Sequence, residues 1–156
     1  MARAALCLVL AACVPTPHIV HVRPAAAGIV LEEGKPVPGV ELFLGKSPGN
    51  NQPCAEVGEI LPVSPEGAFA WASVQEGRLT DSLINPLARR GTLTALCIRH
   101  PRQGILIGAM LFMKQDGPVS LRLDCDVARP RRGAVGPHTI TPWLGQVHYC
   151  ATKASG

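Results

Sequence analysis

The chain is poor in aromatic and charged residues, and it has no long apolar run in its interior. Aromatic residues make up 4% of the 156 residues and charged residues 17%, whereas about a quarter is usual for charge. The longest apolar stretch beyond the N-terminus, residues 104–113, is about half of the roughly 20 residues that a membrane-spanning helix needs. These deficits exclude an interior transmembrane helix, and a net charge of +4 is too small and scattered to indicate nucleic-acid binding.

Glycine and proline are abundant instead, with 16 and 15 residues, a composition typical of short strands joined by sharp turns. Hydrophobic periodicity and turn residues predict seven strands and no long helix. The region 75–91 is irregular, with at most one helical turn at 80–84 that Pro86 ends. The predicted strands cover residues 28–32, 40–44, 55–63, 68–72, 93–100, 105–113 and 119–127.

Two of these strands carry specific expectations about their places in a sheet. Residues 119–127 alternate apolar and polar side chains over nine positions, which predicts one buried and one solvated face. Residues 105–113 are apolar on both faces, which favours a central position. Pro62 in the 55–63 strand favours a sheet edge because proline cannot donate to a ladder. Glu33-Gly34-Lys35-Pro36 is predicted to be a turn.

The N-terminus has a basic residue, a short apolar core and Leu10-Ala11-Ala12-Cys13, and these last four residues resemble the lipobox of bacterial lipoproteins. The resemblance implies removal of residues 1–12, acylation of the Cys13 thiol and a tether at 13–27. Val14, in place of an aspartate, favours the outer membrane facing the periplasm. The alternatives are a true start further upstream, or an apolar segment of another kind.

Without Cys7 and the acylated Cys13, four cysteines remain, and an even number in an exported chain favours two disulfides. Four cysteines allow three pairings, and the sequence does not choose among them. Because Cys97 and Cys125 both lie in predicted strands, Cys97–Cys125 is the favoured pair, with Cys54–Cys150 by default. No two cysteines lie within four residues of each other, which argues against a metal site, and no cofactor is expected.

The segments 28–30, 34–42 and 64–69, which include Gly34-Lys35-Pro36-Val37-Pro38-Gly39-Val40, resemble the transthyretin-like, carboxypeptidase-regulatory-like family. The resemblance implies an all-β fold, a seven-stranded antiparallel β-sandwich at 28–127, used as a stabilising, binding or assembly module. Residues 128–156 are then an extension strapped on by a disulfide. One enzymatic branch, the hydroxyisourate hydrolases, ends in Tyr-Arg-Gly-Ser, whereas this chain has Tyr149-Cys150-Ala151-Thr152. Its histidine has no match either, since His18 and His21 fall in the expected tether.

Several segments and residues are candidates for chemistry, and each also has an ordinary structural explanation. Gly45-Lys46-Ser47-Pro48-Gly49 matches a nucleophile-elbow pattern, but Asn50-Asn51-Gln52-Pro53 follows where that motif needs a helix. Gly39 and Gly45-Lys46-Ser47 nearly match a phosphate loop, but five residues lie between the two glycines where the motif requires four. The basic spots at 89–90 and 129–132 are expected to be solvated loops. None of these segments predicts a catalytic group.

Asp124 and Asp126 share one face of the last predicted strand, as a cation site or an acid–base pair would require, but a solvated face carries such charges anyway. The isolated His100, His138 and His148 are expected in loops or at the surface. Trp71 and Trp143 suit an aromatic platform for a sugar, although Trp71 is expected to pack against Phe69 in the core.

The sequence therefore favours a non-enzymatic, lipid-anchored cell-envelope protein whose sandwich domain contacts another envelope protein or stabilises an assembly. Its expected partners are a membrane, through the lipid on Cys13, and an envelope protein of unknown identity, with no nucleic acid. The first alternative is a module that binds a carbohydrate or another small ligand, and the second is a hydrolase.

Overall fold

The computed structural model describes residues 17–46, 52–79, 92–113, 120–132 and 146–154, which form an all-β fold. These residues contain thirteen strands and no helix, so among them there is no helix able to cross a membrane. The all-β prediction is confirmed. The strands are β1 Pro17–Arg23, β2 Ala25–Glu32, β3 Lys35–Pro36, β4 Glu41–Lys46, β5 Glu56–Leu61, β6 Ala68–Trp71, β7 Val74–Leu79, β8 Thr92–His100, β9 Gly104–Met113, β10 Ser120–Asp126, β11 Arg131–Arg132, β12 Val147–His148 and β13 Cys150–Ala154.

The first sheet is built around β2, in the order β13-β10-β2, with β3 and β6 both paired to the remaining edge of β2. The β10–β2 pair is parallel, and the other pairs in this sheet are antiparallel. The sequence predicted antiparallel sheets, and this pair is an exception. Parallel neighbours need a long crossover connection, and here the second sheet lies between β2 and β10 along the chain.

The second sheet has the order β5-β4-β8-β9 and is antiparallel throughout. Two small ribbons, β1–β7 and β11–β12, complete the pairing. The β5 strand pairs only with β4, as expected for an edge strand followed by Pro62. The predicted turn at 33–36 is confirmed at Glu33 and Gly34, which have positive φ of 52° and 80°, whereas Lys35 and Pro36 form β3.

The β9 strand is at the end of its sheet, contrary to the prediction that it would be central. The physical reason is that its open edge is partly covered by the C-terminal segment. The Tyr149 backbone N–H donates to the carbonyl oxygens of Ile107 and Gly108, at 3.1 and 3.2 Å. An edge strand shielded in this way can be apolar on both faces.

A single cluster of buried side chains joins the two sheets. Alternation along β10 supplies its part, because Leu121, Leu123 and Cys125 are buried while the intervening residues are at least partly exposed, as the sequence predicted. Burying apolar area of this kind is the main favourable contribution to folding. The other strands contribute Ala26, Val30, Leu42, Leu44, Leu61, Phe69, Trp71, Leu96, Ile98, Ala109, Leu111 and Cys150.

A second, smaller buried cluster lies on the opposite face of the second sheet, and it contains Phe43, Cys54, Ala95 and Cys97. Cys97 belongs to this cluster because it alternates with Leu96 and Ile98, which face the main core. Cys125, in contrast, faces the main core. The two sulfurs therefore lie on opposite sides of a sheet.

The favoured disulfide pairing is wrong for this reason. The structure has two disulfides, Cys54–Cys97 and Cys125–Cys150. The first ties the segment before β5 to the outer face of β8. The second joins directly opposed residues of β10 and β13, so it holds the C-terminal extension as predicted, but through Cys125 and not through Cys54.

Each of the seven predicted strands overlaps an observed one, and six further strands are present, so the count of seven does not describe the fold. The segment assigned to a tether contains β1 and the start of β2, and Pro24 and Ala26 are buried there. The region expected to be irregular begins inside β7. The predicted helical turn at 80–84 and the signal at 1–12 lie outside the described residues.

Candidate functional site

The main polar cluster among the described residues lies at one corner, where three elements end together. Glu32 is the last residue of β2, and His100 is the last residue of β8. Arg102 and Gln103 form the turn that follows β8, and Asp126 is the last residue of β10. The strand register places Asp126 opposite Leu31, next to Glu32. This corner is the candidate functional site.

His100 is buried, with 2% of its surface exposed, so its expected position at the surface is wrong. Its Nδ1 accepts hydrogen bonds from the backbone N–H groups of Arg102 and Gln103, at 3.2 and 3.1 Å. An Nδ1 that accepts two bonds carries no proton, which places the proton of the neutral ring on Nε2. The ring therefore holds the turn and has no exposed lone pair with which to take a proton from a substrate.

The Nε2 atom of His100 points towards Glu32 without reaching it. The separation to Glu32 Oε1 is 3.7 Å, which is too long for a hydrogen bond, and Nε2 has no hydrogen-bond partner. Glu32 is occupied by the turn residues instead. Its Oε2 accepts from Arg102 at 2.6 Å, and its Oε1 accepts from the Gln103 amide at 3.4 Å. The arrangement ties β2 to the β8–β9 turn and presents no nucleophile.

Asp124 and Asp126 lie on one face of β10, as predicted, but each carboxylate has its own partners. Asp126 Oδ1 accepts from the backbone N–H groups of Glu33 and Ala128 at 3.3 and 3.1 Å, while its Oδ2 is 3.2 Å from Arg129 Nε. The Asp126 carboxylate therefore stabilises two turns. It is a structural acceptor and not a free base.

The Asp124 carboxylate lies between two cations, with Arg122 Nε at 3.1 Å and Lys153 Nζ at 3.6 Å. Within the described residues, no group of three or more His, Cys, Asp or Glu side chains is placed to hold a metal ion. The pair of aspartates thus belongs to a surface network of ion pairs on the first sheet.

His148 is also buried, at 7% exposure, and its expected surface position is wrong as well. It lies on β12 opposite Arg131 of β11, and its Nδ1 is 3.4 Å from the Gln146 carbonyl oxygen. Burial lowers the pKa of His148 below its usual 6.5; the bond to Gln146 opposes this shift, and the Arg131 charge adds to it. The folded domain therefore favours the neutral ring.

This depressed pKa predicts that His148 destabilises the fold in mild acid. Well above pH 6.5 the ring is neutral in both states, whereas near and below that value the unfolded chain binds the proton more readily than the folded one, so stability falls. We expect the urea midpoint of the native chain to fall further between pH 7.5 and pH 5.5 than that of the His148→Gln variant. Urea titrations at both pH values measure this difference, and equal falls in the two proteins would contradict it.

Trp71 packs as predicted. Its ring stacks on Phe69 with 6.0 Å between centroids, and only 7% of the residue is exposed. The indole N–H donates to the Pro24 carbonyl oxygen at 2.8 Å, which satisfies its one polar atom. Trp71 is thus a core residue and offers no platform for a sugar.

The remaining candidates lie outside the described residues. These are Cys13, Ser47, His138 and Trp143. Of the basic spots, 89–90 also lies outside, while Arg131 and Arg132 are exposed but form the short strand β11 instead of a loop.

Sequence reasoning missed Glu32 and the burial of His100, although a signal was present. His100 is in phase with the buried Leu96 and Ile98 of β8, and Glu32 is in phase with Val30 of β2. A polar residue at an inward position of an alternating strand indicates a buried contact. Their partnership is not visible in the sequence because β2 and β8 lie in different sheets.

The corner can hold strands together, but it lacks an exposed base beside a nucleophile. No family model, no curated protein and no solved structure matches the chain.

Proposed function

We propose that the chain is a non-enzymatic, lipid-anchored protein of the bacterial cell envelope, with a transthyretin-like β-sandwich that contacts another envelope protein. Two sheets sharing one buried cluster support the sandwich assignment. The observation that carries the proposal is that Cys54, Cys97, Cys125 and Cys150 are all paired in disulfides. Such bonds persist in oxidising compartments and are rare in the cytosol, which supports export.

The contact surface of this proposal is the outer side of the second sheet. Ile60 is 58% exposed, Val57 41% and Ile105 51%, and all three lie on the edge strands β5 and β9. Ile60 is opposite Phe43 in the register, and Phe43 is fully buried beneath this face. Exposed apolar residues around a buried ring are typical of a protein-binding surface.

Neither alternative function gains support from the described residues. A sugar-binding function has no support from Trp71, because this residue is buried in the core. A hydrolase function has no support from His100, because its Nδ1 already accepts two backbone hydrogen bonds. A binding role that uses a rigid, cross-linked scaffold is the better fit to what remains.

The first test is the intact mass of the protein from its native envelope, with and without reduction before thiol alkylation. We expect a mass that lacks residues 1–12, carries acyl chains and gains four alkyl groups only after reduction. An unprocessed chain whose thiols react without reduction would overturn the proposal. A photo-cross-linking residue at position 60 is then expected to capture a protein in the envelope, whereas the same probe at the exposed Ala70 serves as the matched control; equal capture at both sites contradicts the contact surface.

A further inference from the structure

Charge is distributed unevenly along the chain. From β8 onward the chain has eight Lys and Arg against three Asp, a net charge of +5. Before β8 it has seven Lys and Arg against eight Asp and Glu, a net charge of −1. Asymmetry of this size between the two halves of a sequence is a sign of interaction with a charged partner.

The topology converts this asymmetry along the chain into a difference between two sides of the domain. In the first sheet the later strands β13 and β10 are neighbours at one end, and in the second sheet β9 and β8 are neighbours at one end. Both β12 and β13 contact β9, so these two ends adjoin. We call the outer face of the first sheet at β10 and β13, together with the segment 129–132 that follows β10, the basic side; most of the glutamates lie before β8 in the chain.

The cations of the basic side are well exposed and outnumber the local carboxylates. The side chains of Arg122, Lys153 and Arg129 are 67%, 70% and 79% exposed. Arg131 and Arg132 are exposed as well. Within this group, only Asp124 and Asp126 supply negative charge, which leaves a local net charge of +3.

The outer face of the first sheet beside these cations is flat. In the register, Arg122 of β10 lies next to Ala27 of β2, which lies next to Ala70 of β6. Ala27 and Ala70 are both exposed and carry only a methyl group. Long cationic side chains beside this flat area of alanines fit a planar anionic surface better than a grooved or convex partner.

The position of β1 limits how far the domain can lie from a lipid anchor on Cys13. The existence of this anchor rests on the proposed function. Pro17 begins β1 and lies four residues after Cys13, so the chain between them spans at most about 14 Å. At physiological salt, charges act over about 8 Å. The β1 strand also contacts β8 and β9.

We propose that the basic side docks on the surface of an anionic bilayer, next to the acylated cysteine. The anchor supplies attachment, and the cations orient the domain so that the exposed Ile60, on the outer side of the second sheet, faces away from the lipid. Each Lys or Arg near an anionic leaflet contributes about 1 kcal/mol. The patch thus gives a bias of a few kcal/mol towards one orientation.

The test uses the oxidised mature chain, residues 13–156 with Cys13→Ser, so that neither an acyl chain nor the apolar segment 1–12 contributes. Its co-sedimentation with phosphatidylcholine vesicles is compared with that on vesicles containing about 30 mol % phosphatidylglycerol. We expect binding only to the anionic vesicles, weakening as salt is added. Arg131→Gln with Arg132→Gln is expected to weaken binding about 30-fold, which is two cations at about 1 kcal/mol each.

The matched control is Gln52→Glu with Gln75→Glu, which lowers the net charge by the same two units at exposed positions of the early half. We expect this variant to bind within about threefold of the parent. Equal losses in the two variants, no preference for anionic vesicles, or tighter binding to heparin than to the vesicles would overturn the proposal. Because the tested chain is not acylated, these results are independent of the mass measurement that tests the anchor.

Discussion

Gly28→Ala is expected to destabilise the domain by about 3 kcal/mol, the upper end of the cost of overpacking. Gly28 lies in β2 between Leu123 of β10 and Phe69 of β6. A Cβ at this position would lie 2.1 Å from the Leu123 carbonyl oxygen and 2.7 Å from the Phe69 ring. Because the closer atom belongs to the backbone, the parallel β2–β10 pair must separate to admit the methyl group.

Gly77→Ala is the matched control, since Gly77 is also in a strand and a Cβ there has no atom within 4 Å. We expect this change to alter the free energy of unfolding by less than about 0.5 kcal/mol. Urea denaturation followed by tryptophan fluorescence measures both. If the Gly28 variant does not fold, its far-UV circular dichroism will show the loss of strand signal, which agrees with the prediction; equal midpoints for the two variants would refute it.

Removing either disulfide is expected to lower the free energy of unfolding by about as much as Gly28→Ala does. The chain-entropy model gives roughly 3.5 kcal/mol for Cys125→Ala with Cys150→Ala and roughly 4 kcal/mol for Cys54→Ala with Cys97→Ala, from loops of 25 and 43 residues. The Cys125 pair also fastens β13 to β10, so its loss should loosen the C-terminal strand first. Hydrogen exchange of residues 150–154, with unfolding by urea, distinguishes the two variants.

Peptide mapping without reduction is the control for this prediction. It should recover Cys54 linked to Cys97, and Cys125 linked to Cys150. A single-pair variant whose unfolding midpoint equals that of the parent would show that the cross-link does not restrict the unfolded chain. Fragments joining Cys97 to Cys125 would show that the two sulfurs meet in a different fold.

The strands were predictable from the sequence because alternation and turn residues are local signals. Residues 119–127 and the Glu33-Gly34 turn are examples, and β10 buries the face that its pattern indicated. Prediction failed where the answer depends on which strands become neighbours. The disulfide pairing is the clearest case, since both Cys97 and Cys125 are buried in strands, yet one faces outward from the second sheet and the other faces the main core.

At the candidate site, too, features set by nearby residues were predictable and features set by distant elements were not. Trp71 was placed correctly because its partner Phe69 is two residues away on the same strand. His100 and His148 were placed incorrectly because their burial comes from elements distant in sequence, the end of β2 in one case and β11 and β9 in the other. β1 was missed because its partner β7 lies in a region without a clear pattern.

The parallel pairing of β2 with β10 has a consequence for the order in which the molecule can assemble during synthesis. The second sheet and its Cys54–Cys97 bond can be complete once β9 has been synthesised, whereas β2 lacks its neighbour β10 until that later strand has been made. Contacts of such long range slow folding, since the loop must close before they form. A chain interrupted before β10 would keep one edge of β2 open, and the core side chains that β10 and β13 cover would be exposed to other nascent chains. Among the described strands, β13 emerges last and completes the first sheet.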